Sequence, residues 1–344
     1  MRNTIAALDS RRAYAVLRGL TGHGGGMVAA ATTSLPERPE TGRNYDYRYV
    51  WIRDQSYAGQ AAASAGAHDL LDAAVRFVSE RLLADGTRLA PAYTVHGDTA
   101  PRQRELDLPG YPGGFSRIGN HISEQFQLDC FGGALLLFAG AQRADRLSAD
   151  AFKAADVAVR AIAERWREPD AGIWELEARS WIHSRLTCVA GLRALAGTAG
   201  HRPLTDTCTQ LADTLLADTS VNCSHRGGHW QRAPDDPRTR ATLAACRDQL
   251  AQDHLLYRFR HDARPLGEAE GAFLMCGFVM AMAEHQQGHA INAHRWFERA
   301  RGACGASGLY AEEFDIAQRQ LRGNLPQGFV HALLLNSAAH LAHN

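Results

Sequence analysis

Along most of the chain, apolar positions recur every three to four residues, and strict apolar–polar alternation is scarce. This spacing predicts helices over about Thr4 to Leu20, Gln55 to Ala65, Ala67 to Leu83, Asn120 to Ala141, Asp150 to Trp166 and Trp181 to Ala196. Further helices are predicted over Leu204 to Leu216, Arg238 to Gln252, Glu268 to Gln287, Ile291 to Cys304 and Gln327 to Ala342. Residues 219–237 are polar, carry Gly227, Gly228, Pro234 and Pro237, and predict no helix. The segments 84–119, 169–180 and 305–326 read as loops and hold many of the aromatic and charged residues. Helices alternating with such loops suggest an all-α fold of concentric rings of antiparallel helix pairs. A closed ring of pairs needs an even number, yet the pattern yields eleven, and the rhythm breaks at 219–237. No repeat of fixed period points to a solenoid.

Composition narrows the function classes. The 344 residues are 45% hydrophobic and 22% charged, as in an ordinary soluble protein. Lys+Arg and Asp+Glu both number 37, so no net field favours nucleic acid. The chain has neither an apolar signal core at Met1 to Ser10 nor a membrane-length apolar run. Seven cysteines occur without a C-x-x-C pair, and Cys130, Cys188 and Cys276 fall in apolar helix patterns. They read as buried thiols, which fits a cytoplasmic setting.

Three stretches carry candidate chemistry. In Pro169-Asp170-Ala171-Gly172-Ile173-Trp174-Glu175, proline and glycine predict a turn that ends in an aromatic and a carboxyl. An apolar wall from Trp174 would disfavour ionisation of Glu175, as a proton donor to a leaving oxygen requires. The plainer reading is a loop with an exposed glutamate. The second stretch, Gly308 to Asp315, holds Glu312 and Glu313 between helix patterns. Either glutamate could pair with Glu175 across a pocket, or both could form a solvated acidic loop. In the third, Tyr45 to Asp54, aromatics alternate with Arg48, Arg53, Asp46 and Asp54. Such a mix suits a sugar pocket, with a packed loop held by an ion pair as the alternative.

Other motifs fail on spacing. Gly22-His23-Gly24-Gly25-Gly26 lacks the Lys-Ser/Thr of a phosphate loop, and no Gly-x-Ser-x-Gly elbow is present. His285 and His289 have no glutamate between them, His294 adds no ligand spacing, and the His225–His229 run is equally unconvincing. No metal or organic cofactor is implied.

Taken in order, Thr32 to Glu37, Asn44 to Asp54, Arg117-Ile118-Gly119-Asn120, Pro169 to Glu175, Glu270-Gly271-Ala272-Phe273, Glu312 to Asp315 and Gly323 to Gln327 resemble glycoside hydrolase family 15, the glucoamylase-type enzymes. These landmarks span nearly the whole chain. The resemblance implies an (α/α)6 barrel with the active site at one end. It implies Glu175 as general acid and Glu312 as general base, with Glu313 the alternative one residue away. It also implies Tyr47, Trp51, Arg53, Asp54 and Trp174 around the sugar, with Arg117, Glu270 and Gln327 as further pocket residues. The expected reaction is hydrolysis with inversion, releasing β-glucose from a short α-glucoside.

Two departures shape the expectation. Many bacterial members carry an N-terminal β-sandwich domain, whereas this chain begins almost at the barrel, so residues 1–344 are expected to form one catalytic domain. That resembles the short members such as isomaltose glucohydrolase and favours an isomaltose-type α-1,6 linkage, with glucoamylase and trehalase activities as alternatives. The expected partner is a small oligosaccharide or disaccharide, with glucose as product, and no nucleic acid or membrane. Secondly, family members carry Asp-Asp-Pro-Arg twice around a further helix. Here it stands once, at Asp235 to Arg238, so one barrel helix is expected to be missing around residues 219–238. A non-catalytic, carbohydrate-binding barrel is the competing reading.

Overall fold

The structure, a computed structural model, describes residues 3–38, 43–111, 114–198, 202–222, 236–261 and 264–343. Eleven α-helices lie among them. The first six are α1 (Ala7–Leu20), α2 (Ile52–Ala65), α3 (His68–Asp85), α4 (Asp129–Arg143), α5 (Ala149–Arg165) and α6 (Ile182–Ala196). The remainder are α7 (Arg202–Asn222), α8 (Pro237–Leu250), α9 (Leu274–Gln286), α10 (Ala290–Arg301) and α11 (Gly328–His340), and four short strands precede α4: β1 (Val50–Trp51), β2 (Ala92–Tyr93), β3 (Arg104–Glu105) and β4 (Arg117–Ile118).

Side-chain character sorts these helices into two layers. Helices α4, α9 and α11 are apolar on nearly every face and sit inside, as a helix with no polar face must. Helix α5 instead buries one stripe, including Ala151, Ala155, Ala158 and Ile162, and turns its charges outward. In the inner layer α9 packs on α11, α11 on α2, α2 on α4, and α4 on α6. Outside them lie α10, α1, α3, α5 and α7, each against its inner neighbour. The closest inner contact is α4 on α6, where a Cβ on Gly132 would come within 2.6 Å of the Cys188 backbone nitrogen. Only glycine lets those two backbones approach so far.

This is an (α/α)6-type barrel with five complete pairs. Helix α8 packs on the hairpin of β5 (Ala251–Gln252) and β6 (Leu255–Leu256) and reaches α9 through the Arg247–Glu284 ion pair. Among the described residues no sixth inner helix stands between α6 and α9. The predicted gap at 219–238 is narrower than expected: α7 continues to Asn222, and α8 begins at Pro237 with Asp236 capping it at the Arg238 nitrogen. Residues 223–235, with the His225–His229 run, lie outside the described residues.

Several boundaries differ from the sequence pattern. The helix expected from Asn120 starts at Asp129, because His121–Glu124 forms a 3-10 turn capped by the Asn120 side chain. The helix expected from Glu268 starts at Leu274, because Ala272–Phe273 is a strand (β7). The loop expected at 305–326 contains β8 (Glu313–Asp315) and β9 (Gln320–Arg322), which form an antiparallel β7-β8-β9 sheet. Such strands are too short to show alternation in sequence. No helix among the described residues is long and apolar enough to cross a membrane.

Candidate active site

A cavity of about 470 Å³ opens where the N-terminal ends of the inner helices converge. Tyr47, Trp51, Arg53 and Asp54 reach it from the start of α2, and Ile173, Trp174 and Glu175 from the turn before α6. Arg258, Phe273 and Met275 come from the approach to α9, and Glu312, Gln327 and Phe329 from the approach to α11.

Glu175 stands at the end of the predicted turn. Gly172 has φ 67°, and Asp170 Oδ1 accepts from the Gly172 nitrogen at 2.8 Å and from Ser184 Oγ at 2.7 Å, tying the turn to α6. Glu175 itself has φ 55°, a left-handed backbone that costs a non-glycine residue about 1–3 kcal/mol. Trp51 Nε1 donates to Glu175 Oε1 at 2.9 Å, and Arg53 Nη1 stands 3.4 Å from the same oxygen. Oε2 is therefore the oxygen left to meet a ligand. The aromatic that touches this carboxyl is thus Trp51, while Trp174 packs edge-on against Phe273 with ring centroids 5.2 Å apart. Arg53 also donates to Asp54 Oδ2 at 3.0 Å and to the Ile173 carbonyl at 3.1 Å, locking α2 to the turn. Burial pushes the Asp54 carboxyl up to about 6 against the pull of Arg53. Its Oδ1 is buried with no hydrogen-bond partner.

The second carboxylate belongs to a denser array. Glu312 precedes β8, and its carbonyl accepts from the Leu274 nitrogen at 3.0 Å. Tyr47 Oη stands 2.9 Å from Glu312 Oε2. Burial, then Glu37, push the Glu312 carboxyl well up; Arg258 and the Tyr47 hydroxyl act the other way. Glu313, on β8, is fully buried and does not line the cavity; its Oε2 accepts from the Gly271 nitrogen at 2.8 Å. The two-residue alternation of a strand turns adjacent glutamates to opposite sides, a choice that sequence left open.

Eight of the ten residues expected at the site line this cavity: Tyr47, Trp51, Arg53, Asp54, Trp174, Glu175, Glu312 and Gln327. Two do not. Glu270 is buried beside it, paired with Arg258 Nε at 2.8 Å and Arg43 Nη1 at 3.5 Å, with His261 Nε2 3.0 Å away. It holds the arginines in place. Arg117 lies on β4 (Arg117–Ile118), donates to the Asn44 carbonyl at 3.2 Å and covers the Phe115 ring. It braces the segment leading to Tyr47. Arg258 was missed; its signal was the aromatic–arginine alternation of Tyr257 to Arg260, the pattern also seen at 45–54.

Comparison with known proteins follows the same geometry. The family model for glycosyl hydrolases family 15 matches residues 17–235 and 227–339, two stretches that overlap at 227–235. A trehalase of Mycobacterium tuberculosis is 32% identical over 365 aligned positions, covering 96% of this chain and 54% of that protein. A trehalase of Thermoplasma acidophilum is 27% identical, covering 92% and 59%. The chain thus spans about half the length of the curated relatives it matches. The 365 positions exceed the chain's 344 residues, so the mycobacterial protein has residues within the aligned region that this chain lacks. Among solved structures, a wild-type glycosidase superposes with a TM-score of 0.77 at 18% identity, covering 97% of this chain and 96% of that one. A bacterial glucoamylase in complex with acarbose gives 0.74 at 15% identity, covering 97% and 55%. At these identities the likeness is one of fold.

Proposed function

The chain belongs to glycosyl hydrolases family 15, and from that premise we propose that it is an inverting glycosidase that cleaves a short α-glucoside, with trehalose the substrate. The observation that carries the proposal is that Glu175 and Glu312 reach one cavity from separate loops, and that Arg53 and Asp54 line the same cavity. The family names favour trehalose over the isomaltose linkage expected from the sequence, since the curated relatives cited above are trehalases.

In this reading one glucose unit sits in the cavity, with its hydroxyls held by Arg53 and Asp54, which both line it. Glu175 Oε2 gives its proton to the glycosidic oxygen as the bond to the anomeric carbon breaks. A water beside Glu312 attacks that carbon from the opposite face and yields its proton to Glu312. Tyr47 and Trp51, 5.7 Å apart and edge-on, wall the site between the two carboxyls.

Trehalose offers a sharp test. Inversion at one anomeric carbon yields one β-glucose, while the departing sugar keeps its α configuration. NMR of the first turnovers should therefore show equal α- and β-glucose. Exclusively α-glucose would overturn inversion. Binding of glucose without turnover of trehalose, maltose or isomaltose would favour the non-catalytic barrel instead.

A further inference from the structure

We propose that Glu37 is a positioning residue that governs whether Glu312 is free to accept a proton, acting through the Tyr47 hydroxyl. This rests on the reading of Glu312 as the base. Tyr47 Oη lies 2.9 Å from Glu312 Oε2 and 3.1 Å from Glu37 Oε1. A phenol has one proton, so it donates to one of these carboxyls and must accept from the other. The carboxyl on the accepting side must carry a proton, since otherwise a phenol lone pair would face a charged oxygen in a buried site. Burial and the surrounding carboxylates keep the Tyr47 hydroxyl itself protonated.

The chain Glu37–Tyr47–Glu312 therefore holds one extra proton in one of two arrangements. In the first, Glu312 is protonated and donates to Tyr47, which donates to Glu37. In the second, Glu37 is protonated and donates to Tyr47, which donates to an ionised Glu312. A paired shift along the two hydrogen bonds converts one into the other with no proton gained or lost. Only the second leaves Glu312 able to take a proton from water. After hydrolysis Glu37 and Glu312 each hold a proton; loss of one of them to solvent returns the chain to a single extra proton, and the same shift then restores the ionised base.

The neighbouring charges fit a site that shares protons. Glu37 is buried, and Arg43 Nη2 donates to its Oε2 at 2.9 Å. Glu37, Glu312 and Glu313 have carboxylate oxygens within 4.8 Å of one another. Arg258 faces Glu270 at 2.8 Å and Glu313 at 4.0 Å, and Tyr45 stacks on Tyr47 with centroids 6.3 Å apart. Four carboxyls (Glu37, Glu270, Glu312 and Glu313) thus share two arginines, Arg43 and Arg258, with His261 beside Glu270. Full ionisation of all four would leave uncompensated buried charge.

The test uses α-glucosyl fluoride, whose leaving group needs no protonation, so the acidic limb of its kcat/KM profile reports the base. Glu37→Gln removes a like charge beside Glu312 and should move that limb to lower pH by roughly 0.5–1 unit. Tyr47→Phe removes a hydrogen bond to the ionised base and should move it to higher pH. Glu37→Asp, which keeps the charge, should bring the limb back toward the wild-type position. An unmoved limb in folded Glu37→Gln protein overturns the proposal. Should that variant not fold, an unmoved limb in Tyr47→Phe does the same. Glu312→Gln separates the two readings: retained turnover of the fluoride overturns Glu312 as base, whereas its loss beside an unmoved Glu37→Gln limb overturns the role of Glu37 alone.

Discussion

The two carboxyls of the site live in different surroundings. Glu175 rides on a strained turn, its side chain 30% exposed, with two donors fixing one oxygen and the other left open. Glu312 is buried, 5% exposed, among three further glutamates that share two arginines and one tyrosine. A proton donor must meet the substrate and be recharged from solvent, so partial exposure suits it. In the proposed mechanism a buried base that activates one water has its protonation tuned by its neighbours, since little of it meets solvent. In the proposed mechanism the same residue type thus takes two roles from placement alone.

The most severe test of that contrast is to neutralise each side. Glu175→Gln and Glu312→Gln should each lower kcat on trehalose by about 10³-fold. Only Glu175→Gln should recover on α-glucosyl fluoride, which bypasses leaving-group protonation. Recovery of both variants, or of neither, would erase the distinction.

A milder change probes the exposed side. Trp51→Phe keeps the wall but deletes the indole donor to Glu175, and kcat on trehalose should drop about tenfold. The loss on the fluoride should be clearly smaller. Equal losses would mean that Trp51 serves sugar packing rather than Glu175.

The smallest expected effect lies on the buried side and concerns stability. Burial, then Glu37, push the Glu313 carboxyl up to about 8 from an ordinary 4.5. A carboxyl raised in the folded state favours folding below its unfolded value, and that advantage fades as pH rises through the folded value. Melting temperature should therefore fall between pH 5 and pH 8, and Glu313→Gln should flatten the slope by about 2–4 °C. A slope unchanged in the variant would show that Glu313 is not the group responsible.

Much of this was legible in the residue order. The helical spacing located all eleven helices, because a helix buried on one or more faces must repeat its apolar positions every turn. The turn at Asp170 to Glu175 could be read because proline and glycine act on their own backbone. The ends of α4 and α9 were misplaced, because the 3-10 turn before one and the β7 strand before the other depend on distant partners. Sequence also named most of the cavity, since aromatic, arginine and carboxyl types were concentrated on a few loops.

What the order of residues could not supply was which groups meet. It offered Trp174 as the partner of Glu175, being adjacent; the fold brings Trp51 instead, across 124 positions. It left Glu312 and Glu313 equivalent, until strand pairing sent one into the cavity and the other to the Gly271 nitrogen. Glu37 stands in the residue order as a landmark without a task, and folding sets it against the hydroxyl that also serves Glu312. Local backbone preference and apolar periodicity are written into neighbouring residues and can be read from them. Hydrogen bonds and Coulomb interactions fall off within a few ångströms of space, so they obey the distances that packing creates and ignore separation along the chain.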